Sequence, residues 1–127
     1  MRDTYPEIVK RYWYSIDWDV ESLWSLDLPV ETFSVADLSW HMGVPIWPDV
    51  AGNPYTVSPS QVLKNPENHA IEYARIQRAD ASFPIEVFEL ADRLMILDGI
   101  HRLAQQISEG QDTIKGRLVP STAVRRL

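Results

Sequence analysis

The chain of 127 residues has no cysteine, which excludes a disulfide framework, a thiolate metal site and a cysteine nucleophile. The same absence fits a reducing compartment, and the sequence reads as cytoplasmic. No apolar run approaches the roughly 18 residues of a membrane span. The charged, aromatic start MRDTYPEIVKRYW lacks the layout of a signal peptide. Histidine occurs three times, at scattered positions, and no ligand spacing for a zinc site results. Internal repeats and low-complexity tracts are also missing.

What remains is a globular balance of 45% hydrophobic and 24% charged residues. It suits one domain, since single cores usually span about 100–150 residues. The net charge of −6 argues against a nucleic-acid binder, which normally carries a basic face. The charge is unevenly spread. Residues 1–92 hold six Lys/Arg against fifteen Asp/Glu, a net −9, whereas residues 93–127 hold six against three, a net +3. The last third is therefore the part expected to receive an anion.

Along the chain, the i, i+3, i+4 stripe of Val20, Leu23 and Trp24 predicts a helix over Trp18–Leu26, capped by Asp17, with Trp24 in the core. Val30–Phe33 reads as extended, and Ser34 to Asp37 as a weak capping box. The Gly, Pro and Asn of 43–58 make a long loop, and Ser58-Pro59 opens a short helix. A second helix is expected over Glu67–Arg78, with Ala70, Tyr73, Ala74 and Gln77 on its inner face. Strands follow at Phe83–Glu89 and Arg93–Leu97, then a helix over Ile100–Glu109 closed by Gly110, then a strand at Thr113–Val119. In that last strand Lys115 and Arg117 alternate with Ile114 and Leu118, as on a half-buried strand. The order describes a compact α+β domain with a small mixed sheet, in which residues 1–29 form a Trp-rich helical extension packed across a core of 30–120.

The stretch Asp98-Gly99-Ile100-His101-Arg102 carries the most chemistry. Gly99 lets the backbone turn sharply and approach a ligand, and the amides that follow start a helix, where the dipole favours an anion. His101 and Arg102 add donors at that point, and Arg can grip a phosphate with two parallel bonds. Asp98 suits a magnesium ligand or a general base. An N-cap with a local salt bridge explains the same residues without a ligand.

The segment Phe83–Pro120, FPIEVFELADRLMILDGIHRLAQQISEGQDTIKGRLVP, resembles the ParB/sulfiredoxin-like family, the ParB-like nuclease domain. The resemblance lies in a Pro84-Ile85-x-Val87 strand, a second strand, the Gly99-x-His101-Arg102 turn, a helix and a closing strand. Sulfiredoxins have a reactive Cys where this chain has Ile100, which removes their chemistry. Partition clamps read Gly-Glu-Arg-Arg and continue into a DNA-binding domain, whereas this sequence ends seven residues after Pro120. The free-serine kinases read Asp-Gly-His-His-Arg, nearest to the turn seen here. That resemblance implies phosphate binding by His101 and Arg102, metal and base roles for Asp98, and magnesium with ATP, ADP or CTP. Ile100, in place of their first His, leaves the acceptor side undefined.

Arg75 and Arg78 share a face of the preceding helix and are expected to add charge to a polyphosphate, with a solvated helix surface as the plain alternative. Asp80 reads as a loop acid or a second carboxylate, His69 as a packed or partly exposed side chain, and His41, without a ligand-spaced partner, as no metal ligand. Trp40 and Trp47 flank the central loop and anchor it or cover a ligand. The resulting site is Asp98 and His101 for chemistry, with Gly99, Ile100, His101, Arg102, Arg75 and Arg78 for the nucleotide and Asp98 for magnesium. The reading is a phosphotransferase or nucleotide hydrolase acting on a small molecule. A non-catalytic interaction or regulatory module that meets a protein partner through a Trp-rich surface, tested at Trp13, is the alternative, and a nuclease the weakest third.

Overall fold

The computed structural model describes residues 5–127. The first four residues of the 1–29 extension, where the signal-peptide reading begins, lie outside the described residues. The elements run α1 (Glu7–Tyr12), β1 (Ile16–Asp17), α2 (Val20–Trp24), β2 (Glu31–Ser34), α3 (Val35–Leu38), α4 (Pro59–Lys64), α5 (Ala70–Arg78), β3 (Ile85–Leu90), β4 (Arg93–Asp98), α6 (Ile100–Ser108), β5 (Thr113–Leu118) and β6 (Arg125–Arg126). The fold is α+β. Among the described residues no helix is long and apolar enough to cross a membrane.

Local sequence explains the element ends. Ser58 accepts the Gln61 N–H while the Gln61 side chain accepts the Ser58 N–H at 2.7 Å, a capping box that starts α4 with Pro59 in its first turn. Gly110 takes the positive φ of 75° that stops α6. The helix expected at Trp18–Leu26 is shorter. Asp19, not Asp17, caps it by accepting the Ser22 N–H at 3.2 Å, because Asp17 is held in β1. Ser34 makes no capping bond, so the box expected at Ser34–Asp37 does not form. A short 3₁₀ turn at Pro66–Asn68 delays α5 to Ala70. That helix buries Glu72 and Ile76 and leaves Ile71 exposed, a face rotated from the one expected.

The main sheet has the order β2-β5-β3-β4, with β3 and β5 parallel and the other neighbours antiparallel. Both faces are covered. Ile85, Val87 and Ile96 pack with Leu38, Val62, Ile76 and Leu103 from the helices. Phe88, Leu90, Met95 and Leu97 pack with Tyr12, Ile16 and Leu23 from the N-terminal segment. The extension thus covers one face of the sheet and closes one of the two core clusters. Strands covered on both sides read as near-continuous apolar runs, as IEVFEL does.

Double coverage overturns the half-buried reading of β5. Arg117 is buried and Leu118 is exposed. The Arg117 guanidinium donates to both Glu86 carboxylate oxygens at 3.0 and 3.1 Å, to the Leu23 carbonyl at 2.7 Å and to the Leu26 carbonyl at 2.6 Å. The last two acceptors lie at and beyond the end of α2, which has no basic residue in its own last turn. Trp24, expected in the core, is instead 58% exposed, because α2 turns its Leu23 side to the sheet.

A bulge in β4 decides the side of the sheet on which Asp98 emerges. Glu86 pairs with Asp98 but Val87 pairs with Ile96, so Leu97 is the extra residue. Simple alternation would put Asp98 on the side of Ile96, under the helices. The bulge puts it beside Glu86 on the side of α2, the kind of re-aiming that bulges perform.

His41 ties the helical layer to the sheet. It is fully buried, with Nδ1 2.7 Å from the Leu38 carbonyl and Nε2 accepting the Ile96 N–H at 2.9 Å. Nε2 accepts, so Nδ1 carries the proton and the ring is neutral. Burial, aided by the nearby Arg93 charge and opposed by the Leu38 carbonyl, lowers its pKa from 6.5 to about 4.

Two outcomes are expected. Removing one partner of the Glu86–Arg117 pair, by Glu86→Gln or Arg117→Met, lowers the unfolding free energy in urea by about 3–5 kcal/mol. The double variant loses clearly less than the sum. For His41 the unfolded chain binds a proton near 6.5 and the folded chain only near 4. Its contribution is therefore complete above pH 6.5, is lost as pH falls from 6.5 to 4, and totals roughly 3 kcal/mol. Urea midpoints across that window should fall for the parent chain and flatten in His41→Asn.

Candidate functional site

The β3–β4 hairpin delivers Asp98 to the edge of a cleft, and Gly99 reverses the chain into α6. Gly99 holds φ at 115°, and a Cβ there would stand 2.5 Å from Ile85 Cγ2. Only glycine meets both the torsion and the contact. Because the N-cap is a glycine, no side chain caps the first turn of α6. Its N–H groups stay available at the positive end of a nine-residue helix.

From the other side α5 brings Glu72, Arg75 and Arg78, spaced to share one face. Gln105 of α6 donates to the Ile76, Gln77 and Ala79 carbonyls at 3.2, 3.3 and 2.6 Å, which locks the end of α5 against α6. The cleft between them has a volume of about 330 Å³ and is lined by Arg75, Arg78, Ala79, Asp98, Gly99, His101 and Arg102. Six of the positions singled out in the sequence therefore meet at one place. Ile100, also expected to bind the nucleotide, does not line the cleft, and its side chain packs into the core beneath α6.

Each charged group has a definite environment. Glu72 is buried and accepts from His101 Nε2 at 2.8 Å and from Arg75 Nη1 at 3.2 Å. The His101 ring stacks on Trp47, with centroids 4.4 Å apart and planes inclined by 14°. Carboxylate and indole together fix the imidazole, put its proton on Nε2 and leave Nδ1 for a ligand. Arg102 donates to the Pro84 carbonyl at 2.7 Å and to Asp98 Oδ2 at 3.4 Å. The same Oδ2 accepts the Trp24 indole N–H at 3.1 Å. Arg78 is exposed and makes no ion pair among the described residues. Three guanidinium groups against Asp98 and the buried Glu72 leave the cleft positive.

Asp80 does not line the cleft. Its Oδ1 accepts the Ser82 hydroxyl and N–H at 2.6 and 2.9 Å, and these bonds, with the more distant Arg102, hold its pKa below the usual carboxylate value. It organises the turn before β3. His69 stands at the start of α5 without a capping bond, away from the cleft lining.

Three contributors escaped the sequence reading. Glu72 had a signal, its i, i+3 spacing to Arg75. Trp47 appeared only as a loop anchor or a cover for a ligand, and its observed contact is the stack on His101. Trp24 lies 74 residues from Asp98 and had no local signal at all. Among the described residues no group of three or more His, Cys, Asp or Glu could hold a metal ion.

Glu72 and Arg75 can be told apart by mutation. Replacing the buried carboxylate, Glu72→Leu, strands His101 Nε2 and should cost about 1–3 kcal/mol in urea unfolding. Arg75→Ala, at a side chain 56% exposed, should cost less than about 1 kcal/mol.

Comparison of the chain with protein-family models, with curated proteins and with solved structures finds no match.

Proposed function

We propose that the cleft at the start of α6 binds a nucleotide or another phosphate-bearing small molecule, and that the chain is a ParB/sulfiredoxin-like domain of the phosphotransferase or nucleotide-hydrolase kind. The single observation that carries the reading is the convergence of Arg75, Arg78, Arg102 and His101 on an uncapped helix start. Anions are favoured at such ends by the N–H groups and the dipole together. Support for the family comes from the element order β2, α5, the β3–β4 hairpin, the Gly99–Arg102 turn, α6 and β5. Arg75 and Arg78 would clamp phosphate oxygens, and His101, oriented by Glu72 and Trp47, would take up a proton at Nδ1 and then donate it to a phosphate oxygen. Asp98 would take a proton from an acceptor hydroxyl with Oδ1, since Oδ2 is engaged by Trp24 and Arg102.

Magnesium fits only as a companion of the phosphates. Asp98 is the one carboxylate that lines the cleft, since Glu72 is buried behind His101 and Arg75, and magnesium sites commonly combine one or two carboxylates with phosphate oxygens and water. When bound, the ion would neutralise charge on the transferring phosphoryl group. A two-metal nuclease would need more carboxylates than the described residues assemble. The interaction-module alternative looks to a Trp-rich surface of the acidic N-terminal region, where the Trp13 ring is half-buried against Tyr12, Trp40 and His41 while Trp24 is exposed.

Calorimetry with ATP, ADP and CTP, each with and without magnesium, tests the reading. At least one should bind with Kd below about 1 mM, and added salt should weaken it. Arg78→Ala should weaken binding roughly ten-fold with the melting temperature unchanged, because Arg78 is exposed and unpaired. No saturable binding by any of the three would overturn the proposal.

A further inference from the structure

Among the described residues Trp24 and Phe83 are the two exposed aromatic side chains, at 58% and 63% exposure, and every other Trp, Tyr and Phe is buried or half-buried. They come from segments far apart in sequence, the end of α2 and the loop before β3, yet both line one groove of about 670 Å³ with Leu28, Val30 and Pro84. That volume lies within the roughly 300–1,000 Å³ typical of small-molecule sites. The groove adjoins the phosphate cleft, and Arg102 lines both. Its charged floor residues, Glu86 and Arg117, neutralise each other in their ion pair, so it presents apolar and aromatic surface without an unpaired charge. The Trp24 ring is also fixed in place, because its N–H is spent on Asp98.

We infer that this groove is the subsite for the ring of the ligand, so that a nucleobase stacks on Trp24 and Phe83 while its phosphates cross Arg102 into the cleft. The inference rests on the phosphate reading and narrows it to ligands with a planar, neutral ring beside the phosphates. An aromatic face held as Trp24 is suits such a ring, since stacking acts on any base and needs little ordering of that side chain. A free phosphate or tripolyphosphate would fill only the cleft. A second copy of the chain is the competing occupant, since exposed apolar surface of this kind also marks protein interfaces.

The test titrates the full chain with sodium tripolyphosphate, ATP, CTP and adenosine by calorimetry, and repeats the series on Trp24→Ala, Trp24→Phe and Phe83→Ala. The expected result is that the nucleotides bind more tightly than tripolyphosphate. Phe83→Ala should then weaken the nucleotides about 5- to 150-fold and leave tripolyphosphate unchanged. Trp24→Ala, which also releases Asp98, should weaken the nucleotides more than it weakens tripolyphosphate, and Trp24→Phe, which keeps a ring but not the N–H, should restore much of that difference. If the nucleotides and tripolyphosphate bind equally and no variant separates them, the ring subsite is overturned and the phosphate cleft stands. If adenosine binds in a Trp24-dependent way and tripolyphosphate does not, the subsite stands and the phosphate reading fails. Absence of binding by all four overturns both. Sedimentation showing a dimer that Trp24→Ala dissociates would assign the groove to a second copy and overturn the inference.

Discussion

The Arg117 guanidinium is the point at which the two halves of the chain are held together. It lies under the N-terminal segment with both Glu86 oxygens on one side and the Leu23 and Leu26 carbonyls on the other. Taking two charges out of water costs several kcal/mol for each ion, and attraction within the pair offsets that cost only when the remaining hydrogen-bond capacity is also met. Here the α2 carbonyls meet it. A pair of apolar residues could fill the same volume and leave those carbonyls without a donor. The ion pair therefore does more than add stability. It sets where α2 ends relative to β3 and β5.

The placement of α2 propagates into the cleft. Trp24 is the last residue of α2, and its indole N–H reaches Asp98 only because the bulge at Leu97 turns Asp98 to that side of the sheet. Asp98 in turn receives Arg102, whose other nitrogen is fixed on the Pro84 carbonyl. One wall of the cleft is thus a relay from Arg117 through α2 and Trp24 to Asp98 and Arg102. The opposite wall is built separately, from Gln105 holding the end of α5 and from Glu72 holding His101. His41 joins the helical layer to β4 from below. Rigid support of this kind is what keeps a binding constellation within hydrogen-bonding tolerance.

Much of this was legible in the sequence, and the parts that were not share a cause. The β3–β4–α6–β5 unit follows from short-range signals: alternating apolar runs, an Asp-Gly break, helical spacing at Leu103, Ala104 and Ile107, and a terminating Gly110. The convergence of Arg75, Arg78 and the Gly99–Arg102 turn was also expected, because α5 and the turn flank the β3–β4 hairpin of one compact unit. Periodicity describes one buried face at a time, however, and this sheet is buried on both. That is why Arg117 read as a solvent-facing strand residue and Trp24 as core, when the covering segment reverses both assignments. The bulge at Leu97 has no residue signature, and it alone decides the side on which Asp98 emerges. Glu72 was missed for a different reason, since its i, i+3 spacing to Arg75 suits an exposed helix pair equally well and does not mark it as buried.

The charge division along the chain needs the same correction. Residues 93–127 are net positive, yet most of their cations are committed elsewhere. Arg93 lies over the Trp40 ring at 4.5 Å, Arg117 is in its buried pair, and Arg125 meets Asp17 across the β1–β6 ribbon. Only Arg102 from that third reaches the cleft, and the other two guanidinium groups come from α5, inside the acidic portion. The positive field at the site is therefore made by convergence in space and not by composition. It is also short in range, because screening at physiological ionic strength acts over about 8 Å and the chain as a whole carries −6. A ligand with a compact anionic end gains that local field, whereas a long polyanion extending beyond the cleft also meets the acidic surface. The local convergence that would suit a compact phosphate group is thus poorly matched to a long nucleic acid.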